Sequence, residues 1–326
     1  MPNLYFKIES GNPTGSYKDR FAAAAVTDLK KRGAKLCLAT SSGNTGAALA
    51  SYCARANMPC FVITVDGAPV GKVDQMKLYG AKTIMVKGFG IDEEVSYRVL
   101  EGLRVFGREK QVEVQISGYA FSPEGMKGVE TIGFEIAEAL PANRVNVFSP
   151  AGGGGLILAI GNGFLKWKEK HTEYLLPKLH CVQPEGNNTI AGPLMRGLKT
   201  ASSIKRCTTR VSGLQVPNLI DGQKALEVCQ LLGGGGSLVT DDEVFNVQQD
   251  LATMEGIYCE PAGAVALAGA INALKRGQIH PEDEVVVIIT GHGFKDPLSV
   301  QRMISGDNPS FDHLREVTKY IEGHIK

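Results

Sequence analysis

A lysine in the first turn of a predicted helix is the residue of this sequence whose context best suits covalent chemistry. Lys18 follows the loop-forming stretch Gly11–Tyr17 and precedes Phe21–Val26, a run of helix-forming residues. Ser16 is the expected N-cap of that helix. Because the unpaired N–H groups of a helix N-terminus carry partial positive charge, this position favours the neutral, nucleophilic form of an amine. The pattern predicts a reactive lysine, with an ordinary surface lysine after a turn as the alternative.

Four consecutive glycines, Gly152 to Gly155, follow one predicted strand and precede an apolar predicted helix. Backbone N–H groups that no side chain covers can close around a phosphate at a helix N-terminus. The run lacks both the Gly-Lys-Ser/Thr ending of a P-loop and G-x-G-x-x-G spacing, so it predicts a phosphate site of another class, with a flexible turn as the alternative. A second run, Gly233 to Gly236, follows a helix and predicts a helix C-cap and turn.

Three further polar positions lie at the ends of predicted strands or helices. The stretch Ser41–Gly46 joins a strand to a helix, and its small hydroxyl residues and N–H groups suit a carboxylate, although they could also cap only their own helix. Thr290 ends a strand of mostly Val and Ile, and Glu260 precedes a proline that can begin a helix. In open α/β sheets ligands collect at the C-terminal ends of strands, where most of these positions fall.

Short β-branched strands alternate with helices along most of the chain, which predicts βαβ units and parallel sheets. At 326 residues the chain is long enough for two domains. We predict an α/β fold of two doubly wound domains with mostly parallel sheets. The small domain comprises residues 31–115, and the large domain comprises residues 1–30 and 116–326. Within the large domain we expect one helix from Glu124 to Leu140.

The composition is that of an ordinary globular protein, with 43% hydrophobic and 21% charged residues and a formal net charge of +1. No run of like charge indicates nucleic acid or a membrane surface as a partner, and no apolar stretch suits a signal sequence or a membrane span. The seven cysteines form no C-x-x-C pair and have no metal-ligand spacing with histidine. We therefore expect reduced thiols in a cytoplasmic protein.

Together these motifs resemble those of the fold-type II pyridoxal-phosphate (PLP) enzymes, which include threonine synthases, threonine and serine dehydratases, cysteine synthases and the tryptophan synthase β chain. The stretch Lys7–Arg20 resembles the Schiff-base segment of that family, and the first glycine run resembles its loop for the PLP phosphate. The segment Thr290–Asp296 resembles the threonine synthase signature, and Glu260–Ala264 resembles both the dehydratase and threonine synthase branches. The motifs occur in family order over nearly the whole chain.

The resemblance implies that PLP lies in the cleft between the two domains, in a Schiff base with Lys18, which then removes the substrate α-proton. The implied cofactor-binding residues are Lys18, Asn44 at the phenolic oxygen, Gly152, Gly153, Gly154 and Gly155 at the phosphate, Glu260 near the ring and Thr290 opposite the pyridine nitrogen. The implied substrate-binding residues are Ser41, Ser42, Gly43, Asn44, Thr45 and Ser117. A neutral hydroxyl at Thr290 favours elimination and replacement over transamination and racemisation. His292 is expected to be structural.

The segment Glu124–Lys127 most resembles threonine synthase, so the resemblance implies elimination or replacement on a small amino acid, with loss of a phosphate or another β or γ leaving group. A threonine or serine dehydratase or a β-replacement synthase is the alternative. Ile116 and Ser122 stand where threonine synthases carry an asparagine and an arginine that hold the substrate phosphate, which argues against O-phosphohomoserine as substrate. The stretch Gln183–Thr189 lacks the acid spacing with which related enzymes hold a divalent metal, and we predict no metal site.

Homodimers are usual in this family, and the resemblance implies one here. Family members usually carry a Thr-Pro-Leu element before the first strand, and its absence implies either a shortened chain or a more open cleft. A non-catalytic regulatory protein that binds phosphate metabolites on the same scaffold is the alternative of another class. Such a protein would use the glycine loops but would not need a lysine in the first helical turn.

Overall fold

The computed structural model describes residues 3–41, 43–90, 92–140, 144–304, 306 and 308–325. Of the site residues expected from the sequence, Ser42 lies outside these ranges. The strands are β1 (Leu4–Ile8), β2 (Cys37–Thr40), β3 (Cys60–Thr64), β4 (Lys82–Met85), β5 (Val114–Gln115), β6 (Val145–Pro150), β7 (Lys178–Pro184), β8 (Gly236–Val239) and β9 (Glu284–Ile289). The helices are α1 (Lys18–Lys31), α2 (Asn44–Ala56), α3 (Val70–Leu78), α4 (Glu93–Lys110), α5 (Pro123–Val129), α6 (Thr131–Ala139), α7 (Gly155–Lys170), α8 (Ala191–Met195), α9 (Gly222–Leu231), α10 (Asp241–Glu255), α11 (Pro261–Lys275), α12 (Pro297–Gln301) and α13 (Leu314–Glu322).

The strands form two parallel sheets. The larger sheet has the order β1-β9-β6-β7-β8, and the smaller sheet has the order β4-β3-β2-β5. Every strand pair in both sheets is parallel, and helices lie between consecutive strands of each sheet. The predicted α/β fold with parallel sheets is therefore confirmed. The strands of the smaller sheet fall within residues 31–115, while the domain boundaries themselves stay a prediction.

Strand β9 shows why both faces of the larger sheet are covered. Val286 and Ile288 contribute to one hydrophobic core, which also contains apolar residues of α1, α2 and α7. Val285, Val287 and Ile289 contribute to a second core on the opposite face, with residues of α10 and α11. Because successive side chains of a strand point to opposite faces, an unbroken Val and Ile run supplies both cores.

The expected single helix over 124–140 is instead two helices, α5 and α6, which meet at Glu130. Two glycines in this segment allow close backbone contacts with neighbouring helices. A Cβ on Gly128 would lie 2.2 Å from the carbonyl oxygen of Arg20, and a Cβ on Gly133 would lie 2.5 Å from that of Ile160. Helix α5 therefore packs against α1, and helix α6 packs against α7. The break between the two helices lies between these contacts. None of the helices in the described ranges combines the length and apolar character that crossing a bilayer requires.

Candidate active site

Loops from both sheets meet at one cavity. In the larger sheet β1, β9 and β6 are parallel neighbours, so the segments that follow them leave the sheet at the same edge. These segments contain Lys18, Thr290 and the glycine run 152–155. After β2 of the smaller sheet, Ser41 and the residues 43–45 also line the cavity. The cavity encloses about 280 Å³.

The cavity gathers the site residues that the sequence analysis singles out. The lining includes Lys18, Ser41, Gly43, Asn44, Thr45, Ser117, Gly152, Gly153, Gly154, Gly155, Glu260 and Thr290. Ser42 lies outside the described ranges, so its position is not part of this set. Residues that are as much as 272 positions apart in the chain (Lys18 and Thr290) thus share one cavity.

Lys18 lies in the first turn of α1, as predicted, but the expected cap is wrong. The helix has no side-chain cap, and the buried hydroxyl of Ser16 has no hydrogen-bond partner within the described structure. The backbone of Ser16 instead pairs with Gly291 in an antiparallel bridge, and the N–H of Tyr17 donates to the carbonyl of Thr290 at 3.0 Å. This pairing fixes the lysine loop against the end of β9, which leaves Ser16 extended and unable to cap.

The carboxylate of Asp19 closes the loop that the serine does not cap. It accepts hydrogen bonds from the backbone N–H of Thr14 at 3.2 Å and from the Thr14 hydroxyl at 2.8 Å. Burial raises the pKa of Asp19, and these hydrogen bonds oppose that rise. The turn before Lys18 is thus held by its own side chains.

Ser117 connects three parts of the site. Its hydroxyl accepts a hydrogen bond from Lys18 Nζ at 2.5 Å, and Thr45 Oγ1 lies 3.0 Å from the same oxygen. The carbonyl oxygen of Ser117 would lie 3.3 Å from a Cβ on Gly155. The lysine amine, the Ser41–Thr45 loop and the glycine loop therefore meet within hydrogen-bonding or van der Waals distance of one residue.

Asp221 supports the Ser117 loop and was not expected from the sequence. One carboxylate oxygen accepts from the backbone N–H of Tyr119 at 2.8 Å, and the other accepts from that of Ala120 at 3.2 Å. The N–H of Asp221 donates to the carbonyl of Gly153 at 2.8 Å, which joins the same residue to the glycine loop. Burial raises the pKa of Asp221. In sequence, Asp221 showed only as the start of a predicted helix.

The glycine loop is a close backbone junction that has no room for side chains. Gly154 has a φ of +95°, and a Cβ there would lie 3.0 Å from the Cβ of Ala225. A Cβ on Gly153 would lie 3.2 Å from the side chain of Ile220. Helix α7 begins at Gly155, and its first turn contains no acidic residue. Its unpaired N–H groups therefore form a place where an anion is favoured.

A buried ion pair that the sequence analysis missed is part of the cavity lining. Lys72 Nζ lies 3.3 Å from Glu260 Oε2, without hydrogen-bond alignment, and 3.2 Å from Ser212 Oγ. Glu260 Oε1 accepts from Asn44 Nδ2 at 2.6 Å. Lys72 and Glu260 are each only 2% exposed. Lys72 follows a proline and a glycine in the first turn of α3, a context similar to that of Lys18 and the signal that could have found it.

Ser41 partly serves its own helix. Its hydroxyl accepts from the backbone N–H groups of Gly43 at 3.0 Å and Gly46 at 2.9 Å, both at the start of α2. The side chain is still part of the cavity wall and keeps its own O–H for donation. Both roles weighed for this loop from the sequence therefore remain compatible with its geometry.

His292 and Lys295 follow Thr290 but have different surroundings. The ring of His292 stacks on Phe294 with centroids 4.8 Å apart, and its Nδ1 accepts from the Phe294 N–H, as suits a structural residue. Lys295 Nζ donates to Gln75 Oε1 of α3 at 2.7 Å. Burial lowers the pKa of Lys295 to about 8, although the carboxylate of Glu260 opposes this.

Ile116 and Ser122, which stand where threonine synthases carry an asparagine and an arginine, have different surroundings in the structure. Ile116 presents an apolar surface to the cavity, whereas Ser122 is buried and its hydroxyl accepts from the Ile116 N–H at 3.3 Å. Within the described lining, the basic side chains are Lys18 and Lys72.

Comparisons with known proteins identify the family of this chain. A family model described as "Pyridoxal-phosphate dependent enzyme" matches residues 1–291. The chain is 36% identical over 301 residues to a threonine synthase of Methanocaldococcus jannaschii, which covers 91% of this chain and 72% of that protein. It is 31% identical over 325 residues to a threonine synthase of Bacillus sp. (strain ULM1), which covers 99% of this chain and 86% of that protein.

Solved structures share the fold. A processed form of threonine deaminase isoform 2 from Solanum lycopersicum superposes with a TM-score of 0.75 at 24% identity, covering 92% of this chain and 82% of that one. Maize serine racemase superposes with a TM-score of 0.73 at 23% identity, covering 98% of this chain and 88% of that one. The family match and the identity to the threonine synthases confirm the resemblance of the motifs, and this chain belongs to the pyridoxal-phosphate dependent enzymes of fold type II.

Proposed function

We propose that this chain is a PLP-dependent lyase of the threonine synthase type, which acts on a small amino acid by elimination or replacement. The position of Lys18 carries the proposal, because its amine donates to Ser117 where the glycine loop and the Ser41–Thr45 loop meet. The threonine synthases among its relatives support the reaction type.

The residues of the cavity fit PLP. The glycine loop at the start of α7 offers backbone N–H groups to the cofactor phosphate. Thr290 Oγ1 is buried and has no hydrogen-bond partner among the described residues, and it suits the pyridine nitrogen. One N–H of Asn44 Nδ2 donates to Glu260, and the other is available to the phenolic oxygen of PLP. Glu260 would then lie near the cofactor ring. Lys18 would hold the cofactor covalently.

Each residue then has a defined task in the reaction. Bound PLP supplies the electron sink that stabilises the negative charge left when the substrate loses its α-proton. Lys18 would take that proton with its amine, and Ser117 would orient the amine through its hydroxyl. The N–H and hydroxyl groups of Ser41–Thr45, at the N-terminus of α2, bind the substrate carboxylate. Thr290 places no charge at the ring nitrogen, which favours elimination and replacement.

The yellow colour of bound PLP tests the assignment of Lys18 and separates an enzyme from a regulatory protein. We expect the purified chain to be yellow, to lose the colour on borohydride reduction, and to carry the reduced cofactor on the peptide that contains Lys18. The Lys18→Ala variant should lack the colour, whereas Lys127→Ala, at an exposed lysine, should keep it. An Lys18→Ala variant that stays yellow and active would remove the basis of the proposal.

A dehydratase is the second candidate, and the cavity wall favours it in one respect. Ile116 is apolar, and Lys72 is already paired with Glu260. The described lining also contains no arginine that could hold a substrate phosphate. A dehydratase or a β-replacement synthase, which releases a smaller group, would not need that arginine.

The substrate decides between these two candidates. Purified enzyme is incubated separately with O-phosphohomoserine, threonine, serine and O-acetylserine, and the release of inorganic phosphate and of 2-oxo acid is followed. Release of phosphate and threonine from O-phosphohomoserine alone would support the threonine synthase type despite Ser122. Release of 2-oxo acid from threonine, with no phosphate from O-phosphohomoserine, would favour the dehydratase.

We also propose that the protein is a cytoplasmic homodimer. The seven cysteines are free thiols, which agrees with a reducing compartment. Light scattering on the purified holoenzyme should give twice the chain mass of 34.8 kDa. A mass of one chain at micromolar concentration would contradict the dimer.

A further inference from the structure

Three cysteines that the proposed reaction does not use meet in the hydrophobic core. Cys37 and Cys60 are the first residues of β2 and β3 and lie opposite each other in the register of these strands. Cys53 lies on α2, the helix that connects the two strands. The three sulfur atoms all lie within 4.8 Å of one another. We call this set the cysteine trio.

The trio is isolated from solvent and from other ligand types. Cys37 and Cys53 are fully buried, and Cys60 is 5% exposed. Within the described ranges no histidine, aspartate, glutamate or fourth cysteine joins the three sulfurs. The core around them is apolar and includes Ala39 and Val62 from the same two strands. Any ion held here would therefore have sulfur as its only side-chain ligand atom.

The spacing of the sulfurs suits a single ion at their centre. Metal–sulfur bonds to thiolates are about 2.3 Å long, so three sulfurs around one ion lie about 4 Å apart. A limit of 4.8 Å between the sulfurs leaves the trio within a small side-chain adjustment of that arrangement. The strands and the helix, rather than a flexible loop, fix the positions of the three residues.

Thiolates select soft cations, and the number of ligands narrows the choice further. Structural Zn²⁺ sites are almost always tetrahedral with four ligands, and the trio provides three. Cu(I) is soft, favours sulfur and accepts three-fold coordination. We propose that Cys37, Cys53 and Cys60 form a buried three-coordinate site for one Cu(I) ion.

Binding exchanges protons for the ion without any change of oxidation state. As each sulfur–copper bond forms, the S–H bond of that cysteine breaks and its proton passes to solvent. The ion enters during folding or through local opening, because the sulfurs have almost no exposed surface.

The bound ion would fasten α2 to the smaller sheet. Cys53 lies in the second half of α2, and the first turn of the same helix carries Asn44 and Thr45 of the candidate active site. An ion that joins Cys53 to Cys37 and Cys60 holds the far end of this helix in place. The site is structural and independent of the reaction proposed above, so failure of either proposal leaves the other standing.

Copper binding is measured on the full-length protein, reduced and kept free of oxygen. Cu(I) is titrated in competition with a chromogenic Cu(I) chelator, with refolding in its presence as a second loading route. We expect one retained Cu(I) per chain, a sulfur-to-copper charge-transfer band in the ultraviolet and a rise in melting temperature. X-ray absorption on the wild-type chain should show three sulfur neighbours, which defines the ligands without any variant.

Variants separate the trio from other thiols. The Cys53→Ala variant, which adds a sixth alanine to α2, should lose the retained ion and the ultraviolet band. Cys207→Ser, at a half-buried cysteine outside the trio, should behave as the wild type. Loss of all copper to the chelator, equal retention by Cys53→Ala, nitrogen or oxygen neighbours in the absorption spectrum, or preferential retention of Zn²⁺ would each overturn the proposal.

Discussion

At the scale of single residues, the role of Ser117 comes from its contacts more than from its residue type. A serine hydroxyl is common, but this one accepts from Lys18 at 2.5 Å and contacts Thr45 at 3.0 Å. The main chain of the same loop is fixed by the carboxylate of Asp221. The position of the reactive amine therefore rests on a hydroxyl whose own position is set from another element.

Replacing Ser117 with alanine should lower kcat while the bound cofactor keeps its yellow colour. The change removes the hydrogen bond of the Lys18 amine, worth about 0.5–1.5 kcal/mol, which corresponds to roughly a 2- to 10-fold loss of rate. Steady-state kinetics with the preferred substrate measures the effect. Ser203→Ala, at an exposed serine, is the control and should leave kcat unchanged. A Ser117→Ala variant with the kcat of the wild type would show that the hydroxyl does not position Lys18.

The sequence revealed those residues whose local context is distinctive. Lys18 stands out because loop punctuation precedes it and a helix follows, and the glycine run stands out because four adjacent glycines need a special reason. Asp221 acts through the backbone of residues 119–120, and Lys72 acts through Glu260. These partners are too distant in the chain for a local sequence pattern to reveal them. Ser16 was misassigned because its backbone pairs with Gly291, a contact that depends on the order of strands in the sheet.

At the scale of elements, the two glycine runs illustrate one residue type in two settings. Gly154 precedes α7, has a φ of +95°, and a Cβ there would meet Ala225 at 3.0 Å. Gly233 follows α9, has a φ of +65°, and nothing lies within 4 Å of a Cβ on it. Gly154 and Gly233 both need the left-handed conformation, but of these two positions only Gly154 is also crowded.

The substitutions Gly154→Ala and Gly233→Ala should therefore differ in kind. Gly154→Ala adds a clash to backbone strain, so we expect PLP affinity to fall by at least about tenfold, or about 1.4 kcal/mol. Gly233→Ala adds strain alone, of about 1–2 kcal/mol of stability, and should leave PLP affinity unchanged. Titration of the apoenzyme with PLP and unfolding in urea measure the two quantities. Equal loss of PLP affinity in both variants would contradict a specific role for the first run.

A buried histidine on β7 makes stability depend on pH. His180 stacks on Phe148 with ring centroids 4.4 Å apart. Its Nδ1 accepts from the N–H of Gly235 at 3.2 Å, so Nε2 carries the proton and donates to Asn146 Oδ1 at 3.0 Å. Burial, assisted by the charge of Lys178, lowers the pKa of His180 to about 4 from the ordinary 6.5.

Stability should fall as the pH drops from 6.5 towards 4. In this window the unfolded chain takes up a proton at His180 and the folded chain does not, so the free energy of unfolding falls by up to about 1.4 kcal/mol per pH unit. Above pH 6.5 both states are neutral and the residue contributes no slope. The change in the free energy of unfolding is measured by urea unfolding of the wild type and of His180→Gln at about pH 7, 6 and 5.

The comparison rests on the slope, since His180→Gln also changes packing. The variant should lose stability less steeply than the wild type as the pH falls. His171→Gln, at an exposed histidine, should keep the slope of the wild type. Identical slopes for the wild type and His180→Gln would contradict a buried neutral histidine.

Element types were readable from the sequence, whereas some of their limits and partners were not. The Val and Ile run of β9 is long and uniform, so its character as a buried strand was clear. Strand β5 has only two residues, Val114 and Gln115, which is too short for any periodic pattern. The cysteine trio was invisible because its members come together only when β2 and β3 pair and α2 packs across them.

At the scale of the whole molecule, a buried ion pair joins the two sheets. Lys72 belongs to α3 of the smaller-sheet region, and Glu260 directly precedes α11, which packs on the larger sheet. Removing either partner leaves an unpaired charge in a place that water scarcely reaches. Such changes typically cost about 3–5 kcal/mol.

A double-mutant cycle measures this link. We expect Lys72→Met to lower the free energy of unfolding of the PLP-free protein by about 3 kcal/mol or more, and the double variant with Glu260→Gln to lose less than the sum of the single changes. The exposed pair Lys127 and Glu124, at 2.6 Å, is the matched control. Its variants should change stability by less than about 1 kcal/mol. Additive effects at Lys72 and Glu260 would show that the two regions are not joined through this pair.

The pairing of β1 has a consequence for the order of events during synthesis. In the larger sheet β1 has β9 as its neighbour, and the chain between them contains most of the molecule. A growing chain on the ribosome therefore exposes the edge of its first strand until residues 284–289 emerge, and the loop before Lys18 has no Gly291 to pair with before then. Contacts between such distant segments form late. We therefore expect capture of the vitamin-derived cofactor to follow the emergence of residues 284–291, and nascent chains that stop before residue 284 should be colourless.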